Sequence, residues 1–156
     1  MGTKQIAGMT FSRVAKRTKC KCMEETLCLE DTQTVYLHKV SNEKPVESDF
    51  RTYWERGKKP NDLNDCLAVC LHKGLSFYPS PLADNVVVHW QQTHRFSPQW
   101  KTYICRIKIK PLAGLIRHTP SRAQYPGAEH HHTFFKCDSF TVDRLDLTTA
   151  SLLSEG

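Results

Sequence analysis

The pattern of apolar and polar side chains predicts strands along most of the chain. The clearest one covers residues 100–110, where apolar and mostly polar positions alternate as they do in a half-buried strand. Its apolar face comprises Tyr103, Cys105, Ile107 and Ile109. Shorter runs rich in β-branched and aromatic residues predict the other strands, at 34–40, 74–78, 115–118, 131–137 and 140–145.

Helical spacing occurs mainly in the first half of the chain. Apolar side chains recur every three or four residues over 62–72, which predicts a helix with one buried stripe. A helix is also predicted over 46–56, ended by Gly57, and a third from Pro81 to about residue 91. Because strands outnumber these roughly three helices, the pattern favours an α+β fold with mainly antiparallel pairing.

Charge divides the chain into an arm and a domain. Residues 1–22 contain six basic and no acidic residues, which equals the net charge of +6 for the whole chain. The basic residues are Lys4, Arg13, Lys16, Arg17, Lys19 and Lys21. We therefore predict a basic, partly disordered arm over 1–32, with possible helical character at 7–15, a single domain over 33–148 and a tail over 149–156. Such an arm suits nucleic acid, although a solvated tail has the same composition.

The cysteines and the apolar runs indicate the cellular compartment in which the protein is expected. The chain has seven cysteines, and it contains neither an apolar leader nor an apolar run that could cross a membrane. These features predict a cytoplasmic protein with reduced thiols. Cys20, Cys22 and Cys28 are candidates for a structural zinc site, but a second pair of ligands would have to come from Cys66 and Cys70, which lie in the buried helical stripe.

The histidine run 130–132 offers a different set of metal ligands. In a strand, His130 and His132 share one face, and Glu129 or His118 could complete a site. The competing interpretation is a chance group of surface histidines. We assign no metal to the protein.

Motifs for the common enzyme classes are absent. The chain lacks the glycine-rich phosphate loops, the serine-hydrolase elbow and the metalloprotease helix motif. Three polar sites remain: His38 in the first core strand, Ser76 in the Gly-Leu-Ser-Phe-Tyr run, and the Glu-His-His-His-Thr run that begins at Glu129. Side chains on three separate strands can meet only across a cleft.

A series of short motifs resembles a known pattern. The dipeptide Asp49-Phe50, the run Gly74-Leu75-Ser76-Phe77, the long strand that ends at Pro111 and the run His131-His132-Thr133 occur in the order seen in a family of small uncharacterised bacterial proteins. The match extends over residues 35–147, about three quarters of the chain. This arrangement in turn resembles the ADP-ribosyltransferase fold, which implies split antiparallel sheets around a cleft.

The resemblance implies roles for particular residues. The ADP-ribosyltransferase fold carries Arg or His on its first strand, Ser or Tyr on its second, and Glu or Gln on a later strand. His38 stands where the bacterial family usually has Arg. Together with Ser76, Phe77 and Tyr78 it would hold NAD, which is a substrate of this reaction. The late-strand catalytic residue would be Glu129, or one of its neighbours His131 and His132.

From this resemblance we predict an NAD-dependent mono-ADP-ribosyltransferase that modifies a macromolecule. The basic arm favours nucleic acid, RNA or DNA, over protein as the acceptor. A bacterial or phage toxin or defence effector with an antitoxin partner fits such an activity, without any association with a membrane. Two other classes stay open: a non-catalytic nucleic-acid-binding module and a zinc-stabilised interaction protein.

Overall fold

A computed structural model describes residues 5–6, 9–11, 34–96, 103–147 and 151–152. Within these ranges the chain has an α+β fold, which confirms the predicted class. No helix in the described ranges is long and apolar enough to cross a membrane. The basic residues of the predicted arm lie outside the described ranges, as do Cys20, Cys22 and Cys28.

One curled antiparallel sheet forms the centre of the fold. Its strands are β3 (Val35–Val40), β4 (Leu75–Ser80), β5 (Tyr103–Ile109), β6 (Gly114–His118), β7 (His132–Lys136), β8 (Leu145–Leu147) and β9 (Ser151–Leu152). The order across the sheet is β6-β7-β4-β3-β5-β8, and β9 also pairs with β5. A separate hairpin pairs β1 (Gln5–Ile6) with β2 (Met9–Thr10). The strand order therefore puts β3 and β4, which carry His38 and Ser76, side by side in the middle of the sheet.

Two α-helices occur in the described ranges, where the sequence pattern predicts about three. They are α1 (Cys66–His72), which Asp65 caps through the Ala68 N–H, and α2 (Asn85–Phe96). The predicted helix over 46–56 is wrong, because only a 3-10 turn, Glu47–Phe50, forms there and further turns follow it.

Side chains explain why the helix over 46–56 does not form. The Asp49 carboxylate accepts the backbone N–H groups of Ser41 and Val46, so it binds the loop in front of it. Thr52 and Glu55 then exchange side-chain-to-backbone bonds, which start a new turn. Such local bonds compete with continuous helical bonding.

Other differences from the sequence pattern are confined to element boundaries. Residues 81–84 form turns, so α2 begins four residues later than the predicted start at Pro81. The predicted strand over 140–145 is instead a 3-10 turn, Val142–Arg144, followed by β8. Phe140 N–H donates to the Cys137 carbonyl at 3.1 Å, so the chain reverses there before it can join the sheet.

The sheet separates two groups of buried side chains. Leu37, Tyr78 and Ile104 pack with Val86 and Trp90 of α2 on one face. A larger cluster occupies the other face and includes Tyr36, Val40, Phe50, Phe77, Phe134 and Phe135. Alternation along β3 and β4 therefore sends neighbouring side chains into different clusters.

The predicted arm contributes to the larger cluster. Met9 and Phe11 are both buried there, and Phe11 is fully inaccessible to solvent. Met9 lies in β2, so the possible helix over 7–15 is wrong at this position. Part of the N-terminal segment thus belongs to the folded domain.

Phe11→Ala tests this part of the core. We expect the substitution to lower the free energy of unfolding by about 3–5 kcal/mol, because it leaves a cavity among buried side chains. Leu82→Ala is the control, since Leu82 is 65% exposed and should change stability little. Urea denaturation of both variants measures the difference, and equal stabilities would place Phe11 outside the core.

Candidate functional site

A cavity of about 530 Å³ opens beside the two central strands, β3 and β4. His38 of β3 and Ser76 and Tyr78 of β4 line it, together with Trp90 of α2. Ser76 is exposed, although most of its strand is buried. The volume lies within the range of ordinary small-molecule sites, about 300–1,000 Å³. The cavity therefore has room for a nucleotide-sized ligand.

His38 is buried and its ring is held on every side. Its Nδ1 lies 2.9 Å from the Ser76 carbonyl oxygen, and its Nε2 lies 3.3 Å from that of Asp49. Carbonyl oxygens only accept, so a neutral ring donates its one N–H to the closer oxygen, from Nδ1. The ring also stacks on Phe50 and meets the edge of Phe77, with centroids 5.3 and 5.2 Å away. These contacts fix His38 against the backbone of Ser76.

The hydroxyl of Ser76 contacts a second histidine. His131 Nε2 lies 2.9 Å from Ser76 Oγ, and His131 Nδ1 lies 2.9 Å from the Thr119 carbonyl oxygen. The carbonyl can only accept, so Nδ1 carries the proton and Nε2 is left as an acceptor. Ser76 therefore donates its O–H to His131. The remaining lone pair of the Ser76 oxygen can accept a bond from a ligand.

Burial keeps His131 neutral. Only 7% of the residue is exposed, and desolvation lowers its pKa from 6.5 to about 4. The bond to Thr119 opposes this shift, while His132 and His118 add to it. At neutral pH the ring accepts the Ser76 proton and carries no charge.

Two threonines that the sequence reasoning missed support His131. Thr119 Oγ1 lies 2.9 Å from His131 Nδ1, and Thr133 Oγ1 lies 2.7 Å from Thr119 Oγ1. Both threonines are buried. Thr119 directly follows the predicted strand over 115–118, and no local pattern marks a polar residue that will be buried by β6 and β7. The buried hydrogen bonds continue from the sheet interior to Ser76.

Other predicted site residues lie away from the cavity. Phe77 is fully buried and stacks on Phe134 with the rings nearly parallel, at 5.1 Å. It is a core residue and does not line the cavity. Glu129 lies in the turn before β7, where its exposed carboxylate is 3.5 Å from His130 Nε2. The structure thus brings neither of them to Ser76.

His132 lies outside the cavity, whereas Tyr78 lines it but has its hydroxyl bonded elsewhere. The His132 Nδ1 lies 2.7 Å from the His130 carbonyl, and its ring faces His118 and Tyr36. Tyr78 does line the cavity, but its hydroxyl is bonded to the Tyr125 hydroxyl at 2.6 Å. Burial raises the pKa of Tyr78, so it stays a neutral phenol. Of the predicted residues, His38, Ser76, Tyr78 and His131 form one group.

Positive charge lines the cavity, which the sequence reasoning did not predict. The basic lining residues are Lys39, Arg51, Arg56 and Lys58, and none of the lining residues that the structure describes is acidic. In the sequence these charges are balanced by carboxylates elsewhere in the domain. Only the fold shows that the cations gather on one wall. An anionic ligand is therefore favoured here.

Three of these four cations lie in residues 51–59, which we call the basic segment, and the fourth, Lys39, lies on β3. The one acidic residue of the segment is Glu55, whose carboxylate accepts the Thr52 N–H and bonds Lys136 of β7 at 2.6 Å. The Lys136 side chain is 8% exposed and that of Glu55 is 23% exposed. This ion pair fixes the basic segment to the sheet.

The cysteines differ from expectation in one respect. Cys66 and Cys70 each take part in a disulfide bond, so the predicted reduced state is wrong for both of them. Cys105 and Cys137 are free and buried, as expected for core residues, and desolvation raises the pKa of Cys105 to about 12. Within the described ranges, no group of three or more His, Cys, Asp or Glu side chains is arranged to hold a metal ion.

Comparison with known proteins gives no relative. No protein-family model, no curated protein and no solved structure matches the chain.

Glu55→Gln tests the attachment of the basic segment. The substitution leaves the Lys136 ammonium buried without its carboxylate, so we expect a loss of about 3 kcal/mol in the free energy of unfolding. The double variant Glu55→Gln/Lys136→Met removes both charges and should recover most of it. Urea denaturation measures both. A loss below about 1 kcal/mol in the free energy of unfolding is typical of exposed ion pairs and would mean that solvent screens the Glu55–Lys136 pair.

The low pKa of His131 predicts how stability depends on pH. Because the folded pKa is about 4 and the unfolded value is 6.5, the unfolded chain binds more protons between these limits. The contribution of His131 is complete above pH 6.5 and is lost as the pH falls towards about 4, by roughly 3 kcal/mol. The free energy of unfolding, measured at several pH values, should fall with decreasing pH by this much more in the wild type than in His131→Gln. Parallel curves for the two proteins would contradict the low pKa.

Proposed function

We propose that the protein is a mono-ADP-ribosyltransferase that transfers ADP-ribose from NAD to a macromolecular acceptor, with nucleic acid favoured over protein. One observation carries the proposal. The three polar sites singled out in the sequence meet at Ser76, where His38 bonds the carbonyl oxygen and His131 bonds the hydroxyl. Convergence of residues from separate strands in a cavity is typical of a functional site.

The distribution of these residues over the strands agrees with the resemblance. A histidine lies on the first core strand and a serine on the second, and the two strands pair directly. His131, which immediately precedes β7, supplies the third side chain. The finer fold assignment and the NAD specificity are part of the proposal.

The cavity offers suitable contacts for a dinucleotide. Arg51, Arg56 and Lys58 on the basic segment can bind the diphosphate, since guanidinium and ammonium groups pair with phosphate oxygens. Tyr78 and Trp90 add aromatic surface to the same cavity. A flat nitrogen ring can lie against such side chains.

The transfer can be written with the residues of this cavity. The bond between the nicotinamide nitrogen and the ribose carbon breaks, nicotinamide leaves with the electron pair, and positive charge develops on the ribose. The acceptor then attacks the ribose carbon. Its proton passes to Ser76 Oγ while the Ser76 proton passes to His131 Nε2, along the 2.9 Å hydrogen bond. This route needs a neutral His131, which its burial provides.

His131 fits the third role better than Glu129 does. The Glu129 side chain is 67% exposed and its carboxylate lies beside His130. His131, in contrast, already contacts the hydroxyl that faces the cavity. We therefore propose His131 as the proton acceptor.

One observation favours the second candidate, a nucleic-acid-binding module without turnover. Within the described part of the chain no carboxylate lines the cavity, and a carboxylate is the usual group that stabilises positive charge on the ribose. A basic cavity without such a group can still bind phosphates. Turnover of NAD separates the two candidates. Action as a toxin, an antitoxin partner and a cytoplasmic location stay predictions.

Labelled NAD tests the proposed activity. The full chain is incubated with labelled NAD and, separately, with RNA, single-stranded DNA and cell lysate, and transfer of label to the macromolecule is measured. We expect transfer by the wild type and a loss of at least ~10²-fold in Ser76→Ala and His131→Ala, the size typical of removing a catalytic group. A loss is also expected in His38→Ala, because the His38 ring positions the backbone of Ser76. His89→Ala is the matched control, because His89 lies on α2 and does not line the cavity.

The results distinguish the transferase from the binding module, and His131 from Glu129 as the third residue. Absence of both transfer and nicotinamide release with every acceptor would exclude the transferase and leave the binding module. Transfer that survives in His131→Ala but fails in Glu129→Gln would move the third role to Glu129. Thermal unfolding of each variant checks that the fold is intact.

A further inference from the structure

We infer that the basic segment binds single-stranded nucleic acid and guides it to the cavity. Its sequence is Arg-Thr-Tyr-Trp-Glu-Arg-Gly-Lys-Lys, with four cations and two aromatic residues in nine positions. Cations that neutralise phosphates and aromatic rings that stack on bases are the two elements of single-strand recognition. The inference is separate from the N-terminal arm, because every residue that carries it lies in the folded domain.

The segment presents one aromatic ring to solvent. Tyr53 is 52% exposed, and the Lys58 ammonium lies 5.7 Å from the centre of its ring. Trp54 has lysines close to its ring, with Lys59 at 5.0 Å and Lys73 at 4.5 Å. Tyr53 is therefore the ring on which a base can stack, while Lys58 and Lys59, which are exposed, can reach the phosphates. Lys73 is buried and supports the Trp54 ring from within.

The four cations of the segment outnumber its one carboxylate. Glu55 is bonded to Lys136 and to the backbone of Thr52, on the sheet side of the segment. Arg51 donates from its guanidinium to the backbone carbonyl oxygen of Glu55 at 3.1 Å. Because this acceptor is uncharged, the bond does not neutralise the positive charge of Arg51. The field at the outer surface of the segment is therefore positive.

Backbone bonds hold the segment in a fixed shape. Trp54 N–H donates to the His72 carbonyl at 2.9 Å, and Lys58 N–H donates to the Tyr53 carbonyl at 2.8 Å. Gly57 has a φ of +79°, a left-handed conformation that glycine adopts without strain. The turn at Gly57 brings Lys58 back over Tyr53. Since the surface is formed before binding, little conformational entropy is lost when a strand docks.

The segment and the cavity share residues. Arg51, Tyr53 and Lys58 line the cavity that also contains Ser76. A strand that stacks a base on Tyr53 would place a neighbouring nucleotide at the cavity entrance. A duplex does not offer an unpaired base to this ring, so single strands are favoured. The role of this strand as acceptor rests on the proposed transferase function, whereas binding of the strand does not.

Fluorescence anisotropy of the full chain without NAD tests the inference. The probes are a labelled single-stranded RNA, the DNA of the same sequence and the corresponding DNA duplex. The variant Arg51→Gln/Lys58→Gln removes two charges of the segment, and Lys44→Gln/Lys110→Gln removes two exposed charges that do not line the cavity. Tyr53→Ala removes the stacking ring.

We expect the segment variant to bind both single strands at least ~10-fold more weakly at low salt. The slope of the logarithm of the binding constant against the logarithm of salt concentration should be shallower by about 0.7 for each phosphate contact that is lost. Tyr53→Ala should lose about tenfold and should bind single strands no better than the duplex. The Lys44/Lys110 control should bind like the wild type.

Three results would overturn the inference. One is equal losses in the two double variants, which would indicate a response to net charge alone. Another is unchanged binding in the segment variant. The third is wild-type binding to the duplex as tight as to the single strands. If binding follows the expectation while labelled NAD transfers nothing, the proposed transferase fails and the binding surface stands. A difference between the RNA and DNA probes identifies the preferred strand.

Discussion

The position of Ser76 between two neighbouring strands determines the rest of the site. β4 pairs with β3 on one side and with β7 on the other, in antiparallel register. One pairing brings His38 to the Ser76 carbonyl, and the other brings His131 to its hydroxyl. A shift of register by one residue in β4 would turn Ser76 towards the Phe77 side of the sheet and separate all three. The hydrogen-bonding of the sheet, more than any loop, thus sets the geometry of the cavity floor.

Much of the fold could be predicted because burial follows the period of each element. β3, β5 and β7 lie within three residues of their predicted limits. Apolar side chains of β3 and β5 alternate between the two core clusters, and both phenylalanines of β7, Phe134 and Phe135, pack in the larger one. The predicted helix over 46–56 does not form, and the spacing of apolar residues gives no indication of this. Its apolar spacing is real, but the Asp49 carboxylate and the Thr52–Glu55 exchange satisfy the backbone locally.

The candidate site could be predicted only in part. His38, Ser76 and His131 were identifiable as polar residues on strands, and their meeting depends on strand order, which the sequence pattern leaves open. Phe77 was placed in the site because it adjoins Ser76, although adjacent residues on a strand face opposite sides. The basic wall was missed because charge counted along the chain hides how Glu55 turns inward to Lys136 while the neighbouring cations line the cavity.

The deep burial of His131 has a consequence for control of the site. A histidine near its ordinary pKa changes charge in the physiological range and can serve as a pH sensor. His131, with a pKa of about 4, keeps one protonation state and one hydrogen-bond direction throughout that range. Between about pH 5 and 8 the Ser76–His131 hydrogen bond therefore keeps its direction, and the Ser76 hydroxyl is oriented before any ligand enters the cavity.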